Sequence, residues 1–222
     1  AMRDISTNWQ RGVFVTGTDT GIGKTLVSAI LCRAWNATYW KPLQTGLADE
    51  DGDTPTVREL AGLPPSRIIP PAYAFQAPLA PLAAGDLENM TVNPGRLILP
   101  QVSGPLVVEG AGGLMVPVRE DMMIVDLIGR LDLPVVLVTR SGLGTINHTL
   151  LSLEALRRRG LPVLGVVPVG PPNPGNERDI ARFGKTHILF RVPQLDAITE
   201  TVISGLSGHV PLLDVLQQQI SQ

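Results

Sequence analysis

A chain of 222 residues, 44% hydrophobic and 17% charged, is long enough to bury one large core, and residues 1–222 read as a single domain. A net charge of -2 with no long Lys/Arg block excludes an electrostatic footprint for nucleic acid or an anionic membrane, and Arg157-Arg158-Arg159 reads as a solvated helix end that complements the helix dipole. The single cysteine, Cys32, excludes a disulfide framework or cysteine metal site; no apolar run approaches the ~18 residues of a membrane helix, so a cytoplasmic location is expected.

Residues 1–12 carry no basic-then-apolar leader and are expected to form a flexible extension. The apolar run Val13-Phe14-Val15 then leads into Gly17-Thr18-Asp19-Thr20-Gly21-Ile22-Gly23-Lys24-Thr25. Behind it, Leu26, Val27, Ile30, Leu31 and Ala34 recur at helical spacing, predicting a helix from about Lys24 to Trp35 with Cys32 in its core face. Strand, glycine-rich loop and helix in this order make a triphosphate site: backbone N–H groups surround an anion, Lys24 reaches the outer phosphates, and the Thr25 hydroxyl is placed for Mg²⁺. Five residues separate Gly17 from Gly23 where the usual phosphate-loop pattern has four. An ordinary strand-to-helix turn is the plain alternative.

Thr38-Tyr39-Trp40 is a short β-rich run stopped by Lys41-Pro42, which puts Lys41 at the strand end where ligands bind in open α/β sheets. The acidic stretch Asp49-Glu50-Asp51-Gly52-Asp53 precedes a helix through Val57, Leu60 and Ala61, with Pro55 in its first turn. Asp49, Glu50 and Asp51 read as a solvated loop capping that helix; Asp53 is a candidate Mg²⁺ carboxylate. From Pro64 to Pro105 the chain is Pro-rich yet apolar enough to pack, as loops and short helices over the sheet.

Leu106-Val107-Val108-Glu109 is a buried-type strand expected to end in its one carboxylate. Gly110-Ala111-Gly112-Gly113 follows and lets a ligand approach backbone. Beside a phosphate loop, Glu109 is the second candidate for Mg²⁺. Leu133 to Val138 is a further strand, opening through Ser141-Gly142-Leu143-Gly144-Thr145-Ile146-Asn147-His148 into a helix whose N-terminus suits a carboxylate or phosphate. His148, in its first turn, is weighed as a catalytic group against surface or packing roles. Pro162 to Val167 and His187 to Val192 are the last strands, and Val210 to Ile220 a terminal helix. The alternation specifies an α/β fold: a mostly parallel central sheet with helices on both faces, in a Rossmann-like P-loop architecture.

Taken together, Gly17-Thr18-Asp19-Thr20 with Gly23-Lys24-Thr25, Lys41-Pro42 with Thr45-Gly46, Glu109 to Gly113, and Leu143-Gly144 with Ile146-Asn147-His148 resemble the dethiobiotin synthetase family over nearly the whole chain. The wider glycine spacing is that family's own pattern. The resemblance implies an ATP- and Mg²⁺-dependent ring closure in which 7,8-diaminononanoate takes up CO₂ as a carbamate, ATP phosphorylates it, and the second amine closes the ring. It implies a nucleotide site of Thr20, Gly21, Ile22, Gly23, Lys24, Thr25 and Leu26, with Asp53, Glu109, Gly110, Ala111 and Gly112 beside the phosphates. Val169, Gly170, Pro193, Gln194 and Leu195 would lie at the base. Lys24 and Lys41 would be the catalytic lysines, with Thr25, Asp53 and Glu109 serving Mg²⁺. Lys41, Thr45, Gly144, Thr145, Ile146 and Asn147 would meet the diamine, whose tail crosses a homodimer interface. Two departures stand out: Gly21 occupies a position often acidic in relatives, and Val169-Gly170 replace an Asn-Asp pair. A partitioning-type ATPase switch and an amidoligase of the same superfamily remain the alternatives. The first would want a lysine where Thr18 and Asp19 stand, and the second a glutaminase domain that this length does not supply.

Overall fold

The computed structural model describes residues 12–220. The extension expected for residues 1–12 therefore lies outside the described residues except for Gly12, which opens the first strand. In chain order the elements are β1 (Gly12–Gly17), α1 (Lys24–Trp35), β2 (Thr38–Trp40), β3 (Leu43–Gln44), α2 (Asp53–Ala61), β4 (Ile68–Ile69), β5 (Tyr73–Ala74), α3 (Pro81–Glu88), β6 (Leu106–Gly113), β7 (Pro117–Arg119), β8 (Met122–Met123), α4 (Ile124–Leu131), β9 (Val135–Arg140), α5 (Thr145–Arg158), β10 (Val163–Val169), α6 (Pro174–Gly184), α7 (Glu200–Ser207) and α8 (Leu213–Ile220). The central sheet runs β10-β9-β1-β6-β2-β4 with every pairing parallel.

The strands are apolar on both sides because both faces are covered. Val13, Val15, Val107, Val136 and Val138 point to the face where α1 packs Val27, Ile30, Leu31 and Cys32. Phe14, Val108 and Val135 point the other way, against Leu127 and Ile128 of α4 and Leu156 of α5. The chain starts at β1, moves out to β2 and β4, and returns to insert β6 between β1 and β2 before building β9 and β10 on the opposite side. This reversal brings the carboxyl ends of β1, β2 and β6 together, and that edge is where open parallel sheets bind ligands.

Three expectations need correction. First, β6 does not stop at Glu109 but continues through Gly113. Val15 pairs with Glu109 and Gly17 with Gly113, the register shifting between them, so the carboxylate sits in mid-strand. Second, His187 to Val192 is not a strand: it touches β10 only at Val166–Ile188 and Val169–Val192. Pro168 is the cause, since it has no N–H to donate to the ladder. On one side of it Val166 N–H reaches His187 O, and on the other Gly170 N–H reaches Val192 O, one residue out of register. Third, Arg157 is not merely solvated. Its guanidinium donates to the carbonyls of Gly184 and Lys185 and ties α5 to the end of α6.

Candidate active site

The loop between β1 and α1 takes its shape from its glycines. A Cβ on Gly17 would lie 2.4 Å from Ile22 Cδ1, and Gly21 and Gly23 have φ of 67° and 99°, left-handed values that L side chains rarely adopt. Thr18 N–H donates to Val138 O at 3.0 Å, joining the loop to β9. Lys24 opens α1 and is almost fully buried. Its ammonium donates to the Asp19 carbonyl at 3.0 Å, folding back across the loop that a phosphate chain would fill. Burial, and next the charge of Lys41, lower the Lys24 pKa to about 8.

Thr25 is the next residue, and its hydroxyl reaches two carboxylates: Asp53 Oδ1 at 2.6 Å and Glu109 Oε1 at 3.0 Å. Glu109 comes to it because strand alternation puts it on the same face as Val107, the face α1 covers. Asp53 comes to it because α2 begins there, with Gly52 before it at φ 89° and the Asp53 N–H held by Gln44 Oε1 at 2.9 Å. Lys41 follows β2 and donates to Glu109 Oε1 at 3.0 Å and Gly110 O at 3.2 Å, while its ammonium lies 2.9 Å from Asp53 Oδ2.

Burial alone would lower the Lys41 pKa, but Glu109 and Asp53 outweigh it and hold the ammonium above its ordinary value. Burial would likewise raise Asp53, and Lys41 with Thr25 and Gln44 outweighs it, so this carboxyl stays below the usual range. Two lysines and two carboxylates thus share a largely buried corner, where ion pairs strengthen because water is kept away.

One hydroxyl hydrogen cannot serve two carboxylate oxygens fully, so Thr25 Oγ1, Asp53 Oδ1 and Glu109 Oε1 form a cluster of hard oxygen atoms that share a single hydrogen among them, with the Lys41 ammonium on its flank. That donor set fits Mg²⁺, which prefers oxygen ligands and one or two carboxylates beside phosphate.

A cavity of about 500 Å³ opens beside this corner, lined by Thr20, Thr45, Gly46, Ala111, Gly112 and the start of α3 at Ala80-Pro81. Asp49 and Glu50, read from the sequence as a solvated loop, are exposed but stand on its rim; Asp51 does not. None of residues 144–147 lines it. Gly144 is exposed with φ 92° at the cap of α5, and Asn147 and His148 are exposed, while Ile146 packs against the core around Leu153. Thr145 is buried and turned inward: its hydroxyl lies 2.7 Å from Thr139 Oγ1 and donates to Arg140 O.

At the other end of the loop, a side chain on Gly23 would meet Val169 at 3.1 Å, and the bond from Gly170 N–H to Val192 O brings Pro193, Gln194 and Leu195 alongside. Leu26 and Leu195 pack against the α1-side core.

The sequence reading passed over Tyr39. It is fully buried, and its hydroxyl donates to Glu109 Oε2 at 2.9 Å. Burial first, then the charges of Glu109 and Asp53, raise its pKa well above the ordinary value, so it stays a donor. The signal was present: alternation along a strand puts residues 39 and 41 on one face.

A family model described as an AAA domain matches residues 11–202. The chain is 63% identical over 206 residues to the "Biotin biosynthesis bifunctional protein BioCD" of Bordetella avium, covering 93% of this chain but 44% of that longer protein. It is 52% identical over 196 residues to the "ATP-dependent dethiobiotin synthetase BioD" of Paramagnetospirillum magneticum, covering 88% of this chain and 94% of the relative. The protein of the same name from Agrobacterium fabrum is 46% identical over 204 residues, with 91% and 96% covered. Among solved structures, the MinC:MinD cell division protein complex of Aquifex aeolicus aligns at a TM-score of 0.51 and 13% identity, covering 96% of each chain. A nucleotide-binding protein of Archaeoglobus fulgidus in complex with ADP aligns at 0.50 and 16%, covering 95% and 94%. These two share the fold. With the phosphate loop, the two lysines and the two carboxylates in one corner, and with the Paramagnetospirillum and Agrobacterium relatives matched at 52% and 46% identity over nearly their whole length, the chain belongs to the dethiobiotin synthetase family.

Proposed function

We propose that this protein closes the ureido ring of dethiobiotin from 7,8-diaminononanoate, CO₂ and ATP, with Mg²⁺ bound at Thr25, Asp53 and Glu109. The observation that carries the reading is the convergence of Lys41, Thr25, Asp53 and Glu109, a set able to offset dense negative charge. The reaction concentrates such charge, because a carbamate and a triphosphate meet in one place.

The loop N–H groups and the N-terminus of α1 hold the phosphates. Lys24 leaves the Asp19 carbonyl to follow the β- and γ-phosphates, and the added anion raises its depressed pKa. Lys41 sits at the opposite wall, where its ammonium meets the carbamate oxygen and the γ-phosphate. It keeps its proton there and supplies charge, with no part in proton transfer. Mg²⁺, when bound, neutralises the phosphate oxygens as a Lewis acid. Thr45 and Thr20 face the cavity that would take the diamine, while Gly144 to Asn147 of a second copy would receive the substrate's tail. The protein acts as a homodimer in the cytoplasm. Its family membership supports this, and among the described residues no helix is long and apolar enough to cross a membrane.

The test is product analysis with diaminononanoate, bicarbonate, ATP and Mg²⁺. Dethiobiotin formed together with one phosphate per ring is the expected result. Phosphate released at the same rate without the diamine would point to an ATPase switch.

A further inference from the structure

From the buried Tyr39–Glu109 contact we infer that Tyr39 is a positioning residue for the metal: it holds one oxygen of Glu109 so that the other faces Thr25 and the cation. The inference rests on the reading of Glu109 as a Mg²⁺ ligand.

Glu109 has two oxygens, and the structure divides their work. Oε1 takes the Thr25 hydroxyl and the Lys41 ammonium at 3.0 Å each; Oε2 takes the Tyr39 hydroxyl at 2.9 Å. Glu109 is 1% exposed and Tyr39 fully buried, so no solvent stands ready to replace that phenol. The two residues come from neighbouring strands. Tyr39 pairs with Val107, two residues before Glu109 on the same face, which sets the ring one step behind the carboxylate and aims its hydroxyl forward along the strand. A carboxylate held at one oxygen by a rigid buried donor cannot rotate to offer both oxygens elsewhere. Such outer partners of ligating carboxylates typically govern metal affinity by about 10- to 100-fold. Lys41 cannot take over this role, because it already divides its hydrogens among Glu109 Oε1, Asp53 Oδ2 and Gly110 O.

The experiment measures, by calorimetry, the Mg²⁺ concentration that half-saturates ADP binding, in Tyr39→Phe, Glu109→Gln and the double variant. The phenylalanine keeps the ring in its packing, and a melting curve confirms the fold. The expected result is an increase of about tenfold or more in Tyr39→Phe. In the Glu109→Gln background the same substitution should then add less than about twofold, because its effect runs through the carboxylate. An unchanged Mg²⁺ requirement in Tyr39→Phe, with Glu109→Gln strongly shifted, overturns the proposal and leaves the metal reading intact. Full additivity in the double variant also overturns it. No shift in Glu109→Gln removes the metal assignment itself, and the role of Tyr39 with it.

Discussion

The Lys41 ammonium lies 2.9 Å from Asp53 Oδ2, although the two residues belong to different elements and approach the phosphate loop from different sides. With Glu109 at 3.0 Å on its other flank, this lysine supplies the positive charge between the two carboxylates that would bind a metal. Its position has a consequence for binding as well as for catalysis.

Removing that charge should separate the two. Lys41→Ala is expected to lower turnover by about 10² to 10³, the usual cost of one contact that stabilises developing charge. Nucleotide affinity in the presence of Mg²⁺ should hold or tighten, since a competing cation has gone. The metal-free variant should melt earlier, because two carboxylates lose their partner. Calorimetry and melting curves with and without Mg²⁺ read all three effects. A collapse of nucleotide affinity with normal residual turnover would show the roles to be misassigned.

Lys24 gives a pH signature. With its pKa lowered to about 8, the folded protein binds this proton less tightly than the unfolded chain, whose lysine keeps the ordinary value of 10.5. Its contribution to stability therefore increases as pH rises from about 8 to 10.5. Nucleotide binding restores the proton, so at pH 8 it should take up about half a proton, falling towards none below pH 7. Calorimetry in buffers of different ionisation enthalpy measures this uptake. Lys24→Arg, charged throughout, should show none. Lys24→Ala should remove turnover while the fold survives, and normal turnover in that variant would end the phosphate-loop assignment.

The acidic stretch provides an internal contrast. Asp53 meets Thr25 and Lys41, whereas Asp51 is exposed in the loop before it. Asp53→Asn and Glu109→Gln should each raise the Mg²⁺ concentration for half-maximal activity by about tenfold or more. Asp51→Asn should leave it unchanged. Equal small effects at all three positions would return Asp53 to a structural role.

Base selectivity should be loose. Val169 lies against Gly23 and has no polar side-chain atom, and Gly170 has no side chain at all. A site that reads its ligand through hydrogen bonds rejects the wrong one by ~10⁴ to 10⁵, whereas an apolar slot discriminates by about 10 to 200. CTP or GTP should therefore support ring closure within about two orders of magnitude of ATP. Initial rates with four triphosphates at matched Mg²⁺ decide the matter, and strict ATP dependence would mean that another segment reads the base.

What the sequence by itself determined was local. The span of α1, Lys24 to Trp35, follows from apolar spacing behind a glycine loop, and the glycines at 21 and 23 were legible from their place between a strand and a helix; their φ of 67° and 99° are values that L side chains rarely adopt. Lys41 at a strand end followed from the proline after it. The tertiary structure alone decided the meetings: Thr25 with Asp53 across 28 residues, Lys41 with Glu109 across 68, Tyr39 with Glu109 across 70. The two meetings with Glu109 depend on β6 inserting between β1 and β2, and the first on α2 packing beside α1, long-range choices that no local window encodes. The slip at Pro168 is of the same kind: the missing donor is visible in the sequence, but the segment it would have paired with is not. Periodicity reports which face of an element is buried, and pairing partners are settled only when the sheet closes its hydrogen bonds.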